Sequence, residues 1–526
     1  MKKYFWLLLV FPLAVLSGCY KDDIDDLRKD VDELKAQLAR YEILMDALNK
    51  RLYITDYTLS GDKYFITLSD GTLLNVSNSP AFLSVSTTNT WLINGVDSKI
   101  AATDDIPALS IGANKHWLIS GADTGIPANT SINPDVNAII AIVQKDELMT
   151  FIFSNGKTIQ LKSLAPEVSI TVPAGGFVIS KYQWLRVSAG VEYGDGASFA
   201  WTLGADTLSR SLDLLAIFDA PGTYLLKFTA QNGIGAGFRE VAIKVNDASY
   251  VNGVNRVFEF APAPGQFVHE LPTWKEGDDA EAMRLKAESS LKSNIMIHLG
   301  GFGGYVVMGF DHTIVNKPGQ PSFQVNGNAF ANWAEPGVIE VSYDANGNGL
   351  PDDTWYEIAG SEYNSEKTVK NYTITYHKPD ENKEPVTNEE NPFMSDIQYI
   401  RWTDNKGGLG YVSKNTFHSQ PYYPQWQGES ISFTGTKLTE DNVADLSGTG
   451  SYFVNPAFPF GYADNWSNGD ERAKIRIDWA VDKTTGQSIQ LKGVDFIKVY
   501  TGQRAEAGWL GEVSTEVSGV KDLNIP

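Results

Sequence analysis

Residues 342–357, Ser-Tyr-Asp-Ala-Asn-Gly-Asn-Gly-Leu-Pro-Asp-Asp-Thr-Trp-Tyr-Glu, alternate oxygen-bearing side chains with small ones. This is the pattern of a calcium loop. On the EF-hand template Asp344, Asn346 and Asn348 take positions one, three and five, and Gly349 takes six. The Leu350 carbonyl would take seven and Asp352 nine. Position twelve needs a bidentate Glu and is Trp355, so the helix–loop–helix version is excluded and a loop between strands is expected. Its carboxylates favour a hard cation, and with no nucleophile nearby the expected role of calcium is structural.

A second acidic loop, residues 460–471, carries Asp464, Asn465, Asn468 and Asp470 at a spacing that fits no metal template. It reads as another ion site or as plain turn chemistry. The loops are also rich in aromatics. Residues 400–430 hold Trp402, Tyr411, Tyr422, Tyr423 and Trp426 beside His418, and Trp333, Trp466 and Trp509 sit in other loops. Flat faces among a few polar groups suit a large, partly apolar ligand. Trp402, Tyr411, Tyr422, Tyr423, Trp426 and Trp466 are therefore the expected ligand contacts, with packing over the sandwich ends as the alternative. The His-Glu-x-x-His, Gly-x-Ser-x-Gly and Walker patterns do not occur. "GGFGGY" (300–305) lacks dinucleotide spacing and reads as a bulged strand start. Binding without catalysis is expected, although abundant carboxylates leave an acid pair open.

The chain that must position these groups has 526 residues and a net charge of −21, which argues against nucleic-acid partners because phosphate binding needs dense Lys and Arg. Its single cysteine, Cys19, allows no internal disulfide. Lys2 and Lys3 precede an apolar run, residues 4–16, that is too short to span a bilayer and fits a secretory signal. Leu16-Ser17-Gly18-Cys19 resembles the lipobox of bacterial lipoproteins, which implies cleavage before Cys19 and its acylation as a lipid anchor. Lys21-Asp22-Asp23 resembles the export signal that sends Bacteroidetes lipoproteins to the outer face of the outer membrane.

The expected layout is a signal (1–18), a lipidated stalk (19–52), a β-hairpin repeat module (53–164), an immunoglobulin-like sandwich (165–250) and a C-terminal ligand-binding β-sandwich (251–526). In the stalk Ile24, Leu27, Val31, Leu34, Leu38, Tyr41, Met45, Leu48 and Leu52 form an unbroken heptad seam. A helix of that length spans roughly 40 Å. It predicts a coiled coil of unread oligomer state, or a helix docked on its own chain. In the next module residues 84–102 match residues 110–128 without a gap, pairing Trp91 with Trp117, Gly95 with Gly121 and Asp97 with Asp123. Asp70-Gly71 and Asn155-Gly156 predict tight hairpin turns. Trp201 and the segment Pro221-Gly222-Thr223-Tyr224 suit a seven-strand sandwich and resemble the PKD immunoglobulin-like domain. Beyond residue 254, one helix (279–292) and many alternating strands, among them 305–310, 337–343, 397–402, 474–481 and 494–500, predict a mainly β, jelly-roll-like sandwich.

Segments 300–316, 323–330, 335–362 and 494–502 resemble the C-terminal domain of Bacteroidetes surface lipoproteins associated with vitamin B12 uptake. The resemblance covers most of residues 255–526. It implies cobalamin bound as ligand at the cell surface and delivered to a TonB-dependent outer-membrane transporter. A calcium-stabilised glycan-binding or adhesion lipoprotein is the competing expectation.

Overall fold

The computed structural model describes residues 11–61, 63–76, 80–128, 138–389 and 391–525. Residues 1–10, within the expected signal, and the side chain of Cys19 lie outside these. The chain is mainly β and multidomain, as expected. It divides into two compact units, one of residues 1–177, 186–215 and 223–243 and one of residues 178–185, 216–222 and 244–526.

In the first unit a helix runs over Phe11–Lys50. Ile24, Leu27, Val31, Leu34 and Leu38 of the heptad seam are exposed along it. Its C-terminal turns dock on the β-module: Leu44 and Ala47 join Ile66, Leu74, Val76 and Phe151 in one core, the seam residues Met45 and Leu52 pack against it, and Tyr41 meets the Phe153 ring. No helix among the described residues is long and apolar enough to cross a membrane. The repeat module is a sheet of six strands in the order Thr158–Lys162, Leu148–Phe153, Ile139–Lys145, Ala81–Val85, Thr90–Ile93, Val96–Ala101, with a three-stranded sheet at Ile54–Val76 and another at Leu109–Pro127. The duplication recurs in three dimensions. Trp91 and Trp117 are both 1% exposed and share a core. Asp97 accepts the Lys99 N–H and Asp123 the Gly125 N–H, each at 2.9 Å. Local spacing dictates local structure here, and the indoles then pack the two copies into one core.

Residues 167–246 form a sandwich. One sheet orders Glu167–Ile170, Trp184–Glu192 and Asp213–Ile217; the other orders Phe177–Ser180, Ala236–Asn246, Gly222–Gln231, Ser198–Leu203 and Asp206–Ser209. Trp201 is fully buried, lies 4.9 Å from the Phe228 ring and donates its indole N–H to Leu212 O.

The C-terminal module is built on a six-stranded antiparallel sheet in the order Arg256–Ala261, Tyr305–Val315, Gly493–Thr501, Gly337–Ser342, Tyr356–Ile358, Ala480–Asp482. Val306, Met308, Ile339, Val341, Ile497 and Val499 bury one face against Met283, Ala287 and Leu291 of the helix Ala280–Lys292, capped by Asp279. A four-stranded sheet, Leu409–Asn415, Met394–Asp404, Val369–His377 and Ser430–Lys437, builds a second core around Tyr372, Tyr376 and Phe433. The alternation over 474–481 does not make one strand. Lys474–Ile475 pairs with Phe323–Asn326, Ile477–Trp479 is a 3-10 turn, and Ala480–Asp482 pairs with Tyr356–Ile358. The break is fixed by Asp478, which accepts from Gly319 N at 2.6 Å and from Asn316 Nδ2 at 2.9 Å.

Candidate functional site

The metal loop forms as a loop following the strand Gly337–Ser342. Asp344 accepts from the Gly347 and Asn348 N–H groups through Oδ1 and from Gly349 N through Oδ2. The side-chain amides of Asn346 and Asn348 donate to Asp352 at 3.0 and 2.8 Å and hold that carboxyl below its ordinary range. Leu350 donates its N–H to the Asn348 oxygen and leaves its side chain exposed. The sequence thus brings Asp344, Asn346, Asn348 and Asp352 together around one turn.

The aromatic set separates. Tyr422 and Tyr423 are not surface contacts, because both are fully buried in the core under the four-stranded sheet. A loop with polar neighbours and flanking prolines looks exposed in sequence, yet it folds over the sheet and turns its rings inward. Trp402 is half-buried, with the Arg504 guanidinium over its ring at 4.2 Å. Tyr411 lies on the next strand opposite Arg401, while Trp402 lies opposite Gly410, so the two point to opposite faces. Trp426 packs against the core of the six-stranded sheet. Trp466 donates to Phe458 O at 2.7 Å beneath the Arg472 guanidinium. These six residues do not form one surface.

A different site does form. A cavity of about 330 Å³ is lined by Phe267, Phe330, Trp333, Leu510 and Val513 and by Glu335, Glu512 and Glu516. Phe330 and Trp333 exchange backbone hydrogen bonds across a tight turn whose Asn332 has a φ of 66°. That turn holds their rings 6.2 Å apart at the rim, and Phe330 is 62% exposed. The floor comes from remote segments. Glu335 precedes a central strand, and Glu516 pairs in register with His298 on a two-residue ladder. That register brings Glu516 Oε1 to 2.6 Å from His298 Nδ1, while Glu512 Oε1 stands 3.3 Å from His298 Nε2. Asp464, in the second acidic loop, accepts from the Asn328, Ala329 and Glu516 N–H groups.

Two glycines make this approach possible. A Cβ at Gly265 would sit 2.4 Å from His298 Nε2 and 2.7 Å from Glu512 Oε1; one at Gly327 would sit 2.1 Å from Asp464 Oδ1. Burial is the main cause lifting the carboxyls of Asp464, to about 6, and Glu516, to about 8. Glu335 is raised well above the usual range by burial, then by the charges of Glu516 and Asp464. Partly apolar walls with convergent acceptors and perturbed carboxyls define a binding site in physical terms.

Among these residues sequence reasoning had singled out Trp333 and Asp464 and missed Glu335, Glu512, Glu516 and His298. Only the pairing of His298 with Glu516, 218 residues apart, reveals them.

The PKD domain family matches residues 149–245. No curated protein matches. Solved structures with some likeness include fibronectin(III)-like modules of Clostridium thermocellum CbhA (18% identity, 19% of this chain and 61% of that chain, TM-score 0.15). They also include an amphioxus IgVJ-C2 molecule (18%, 37% and 94%, TM-score 0.14) and a SusE-like protein (9%, 68% and 96%, TM-score 0.23). The chain spans less than two thirds of the first of these, and none of the three TM-scores supports a functional argument.

Proposed function

We propose that this chain is a surface-anchored, non-catalytic binding protein whose C-terminal module captures a corrinoid and passes it to a TonB-dependent outer-membrane transporter. The supporting observation is the cavity rimmed by Phe330 and Trp333 over an acidic floor. Its Asn328, Phe330 and Glu335 fall within the segments that resemble the vitamin B12-associated lipoproteins. A corrinoid offers apolar ring edges and primary-amide arms. Amide N–H groups suit the carboxylate acceptors of the floor, and the ring edge suits the exposed Phe330 and the half-buried Trp333. The cavity lies near the lower end of the roughly 300–1,000 Å³ that small-ligand sites occupy, so it takes an arm of such a ligand while the ring rests on the rim. One carboxylate oxygen of Glu335 and one of Glu516 lie within 4.8 Å of each other, so two acceptors converge on one polar arm. In this reading Cys19 carries the lipid anchor. Calcium in the loop at Asp344, Asn346, Asn348, Leu350 and Asp352 stiffens the end of the strand Gly337–Ser342.

The paired aromatic faces favour a second reading, stacking on a sugar ring. Equilibrium titration of the full chain with cyanocobalamin, beside affinity gels carrying host and plant polysaccharides, separates the two. Saturable cyanocobalamin binding is expected, weakened at least about tenfold by Trp333→Ala (about 1.4 kcal/mol) with an unchanged melting temperature. Absence of binding at about 100 µM ligand, or retardation by a polysaccharide gel alone, overturns the corrinoid reading. The calcium loop has its own measurement. Calcium is expected to raise the melting temperature by several degrees over chelator, and Asp344→Asn with Asp352→Asn to remove most of that rise. An equal rise in that double variant would show that the loop holds no calcium.

A further inference from the structure

The geometry points to a second cation site: we propose that Glu335, Asp464 and Glu516 together hold a divalent cation of the calcium class at the floor of the cavity, with its open side toward the cavity. The inference does not depend on which ligand fills the cavity.

One carboxylate oxygen from each of the three lies within 4.8 Å of the others. Oxygens bound to one calcium at 2.3–2.6 Å stand no more than about 5 Å apart, so the spacing of the trio is compatible with one shared ion. All three donors are hard carboxylate oxygens, which select calcium-like ions over zinc or copper. Asp464 is oriented by three backbone N–H groups and keeps lone-pair capacity on Oδ2, which accepts only from Glu516 N. Glu516 Oε1 is taken by His298 Nδ1 and Ser514 Oγ.

A cluster of acids alone could instead be neutralised by protons. A separate observation favours the ion. Glu512 Oε2 and Glu516 Oε2, on residues 7% and 4% exposed, are buried acceptors without a hydrogen-bond partner, and both residues line the cavity. A proton shared between Glu335 and Glu516 answers that pair and leaves Glu512 Oε2 with nothing. A hydrated cation answers both, because its trio ligates directly and one of its waters donates to Glu512. Among the described residues the only basic side chain within ion-pair distance of these four carboxyls is His298, so the negative charge gathered here has no lysine or arginine to balance it. Glu335, half-buried while Asp464 and Glu516 are 2% and 4% exposed, leaves the ion accessible from the cavity side. A ligand oxygen could complete its coordination there.

The test uses the full chain carrying Asp344→Asn and Asp352→Asn, which silences the loop. Calorimetric titration with calcium is expected to give one equivalent. Terbium in place of calcium is expected to luminesce on excitation of Trp333, which lines the same cavity. Trp333→Phe should dim the terbium signal and leave the calcium heat unchanged, which places the ion. Glu516→Gln and Glu335→Gln should each weaken binding at least tenfold, while Glu512→Gln, at a residue outside the ligating trio, should weaken it less. Glu335, the most open of the three, carries the test if Glu516→Gln fails to fold. Absence of calcium heat and terbium signal in the folded, loop-silenced chain overturns the site. So does uptake that neither Glu335→Gln nor Glu516→Gln alters, because the ion then lies elsewhere.

Discussion

Tyr422→Ala should lower the unfolding free energy of the C-terminal module by about 3–5 kcal/mol, the range for deleting a buried aromatic ring. Tyr411→Ala, on a half-buried edge position, should cost less than about 1 kcal/mol. Tyr422 is fully buried, its ring lies 5.6 Å from Tyr399 in an edge contact, and its carbonyl accepts from Gly265 N at 2.9 Å. The last contact links the core to the site. Gly265 is the position with no room for a side chain beside His298 and Glu512, so a shift in the 422 backbone moves the acidic wall as well. Tyr423→Phe removes only a hydroxyl that donates to Gly428 O at 2.7 Å, for about 1 kcal/mol. Denaturant titrations with unchanged slope would measure all three. Equal, small effects for Tyr411 and Tyr422 would return Tyr422 to the surface.

The second large effect is on pH dependence. Burial holds Glu357, Asp495 and Glu506 above the ordinary carboxylate range, and Glu516 reaches about 8 through burial, with the charge of Asp464 adding. In the unfolded chain such groups titrate near about 4. Between that value and the raised one the native state keeps protons that the unfolded chain has lost, so stability falls as pH rises. With chelator present, the unfolding free energy is expected to climb by several kcal/mol as pH is lowered from about 8 to about 5. Further acid reverses the trend, because Asp97 and Asp470, held at about 2 by hydrogen bonds from Lys99 and Arg472, lose their charge in the folded state. Glu335→Gln should flatten the slope above pH 5. Stability that rises steadily from pH 5 to 8 would mean that these carboxyls are solvated and ionised.

The parts of the fold that were legible in sequence are those fixed by near neighbours. Asp70-Gly71 and Asn155-Gly156 announce their hairpins, and both glycines take positive φ, 84° and 79°. The Trp91/Trp117 duplication and the helix expected at 279–292 are also local. The stretch 474–481 misleads because its two ends pair in different sheets, which alternation cannot register. The heptad seam marks the helix, and its last positions, Tyr41, Met45 and Leu52, reach the module beside Leu44 and Ala47, which the seam does not include. The turn that gathers Asp344, Asn346, Asn348 and Asp352 was readable because those residues lie within nine positions of one another. The cavity floor was not, because Glu335, Asp464 and Glu516 come from three remote segments joined only by tertiary pairing.

The order in which the polypeptide is delivered matters for this floor. Glu512 and Glu516 belong to the final stretch of the chain, and Gly519–Asp522 completes a ladder with Phe323–Asn326. Asn252, near the start of the module, ties down Ile525 O. The six strands of the large sheet, the aromatic rim, Glu335 and Asp464 all precede Glu512 and Glu516 in the chain, so the floor is complete only once residues 512–516 are in place. Closure of the acidic wall therefore depends on residues that contribute no strand to the six-stranded sheet, and truncation before Glu512 would remove that wall and the Gly519–Asp522 strand while leaving all six strands of that sheet in the chain.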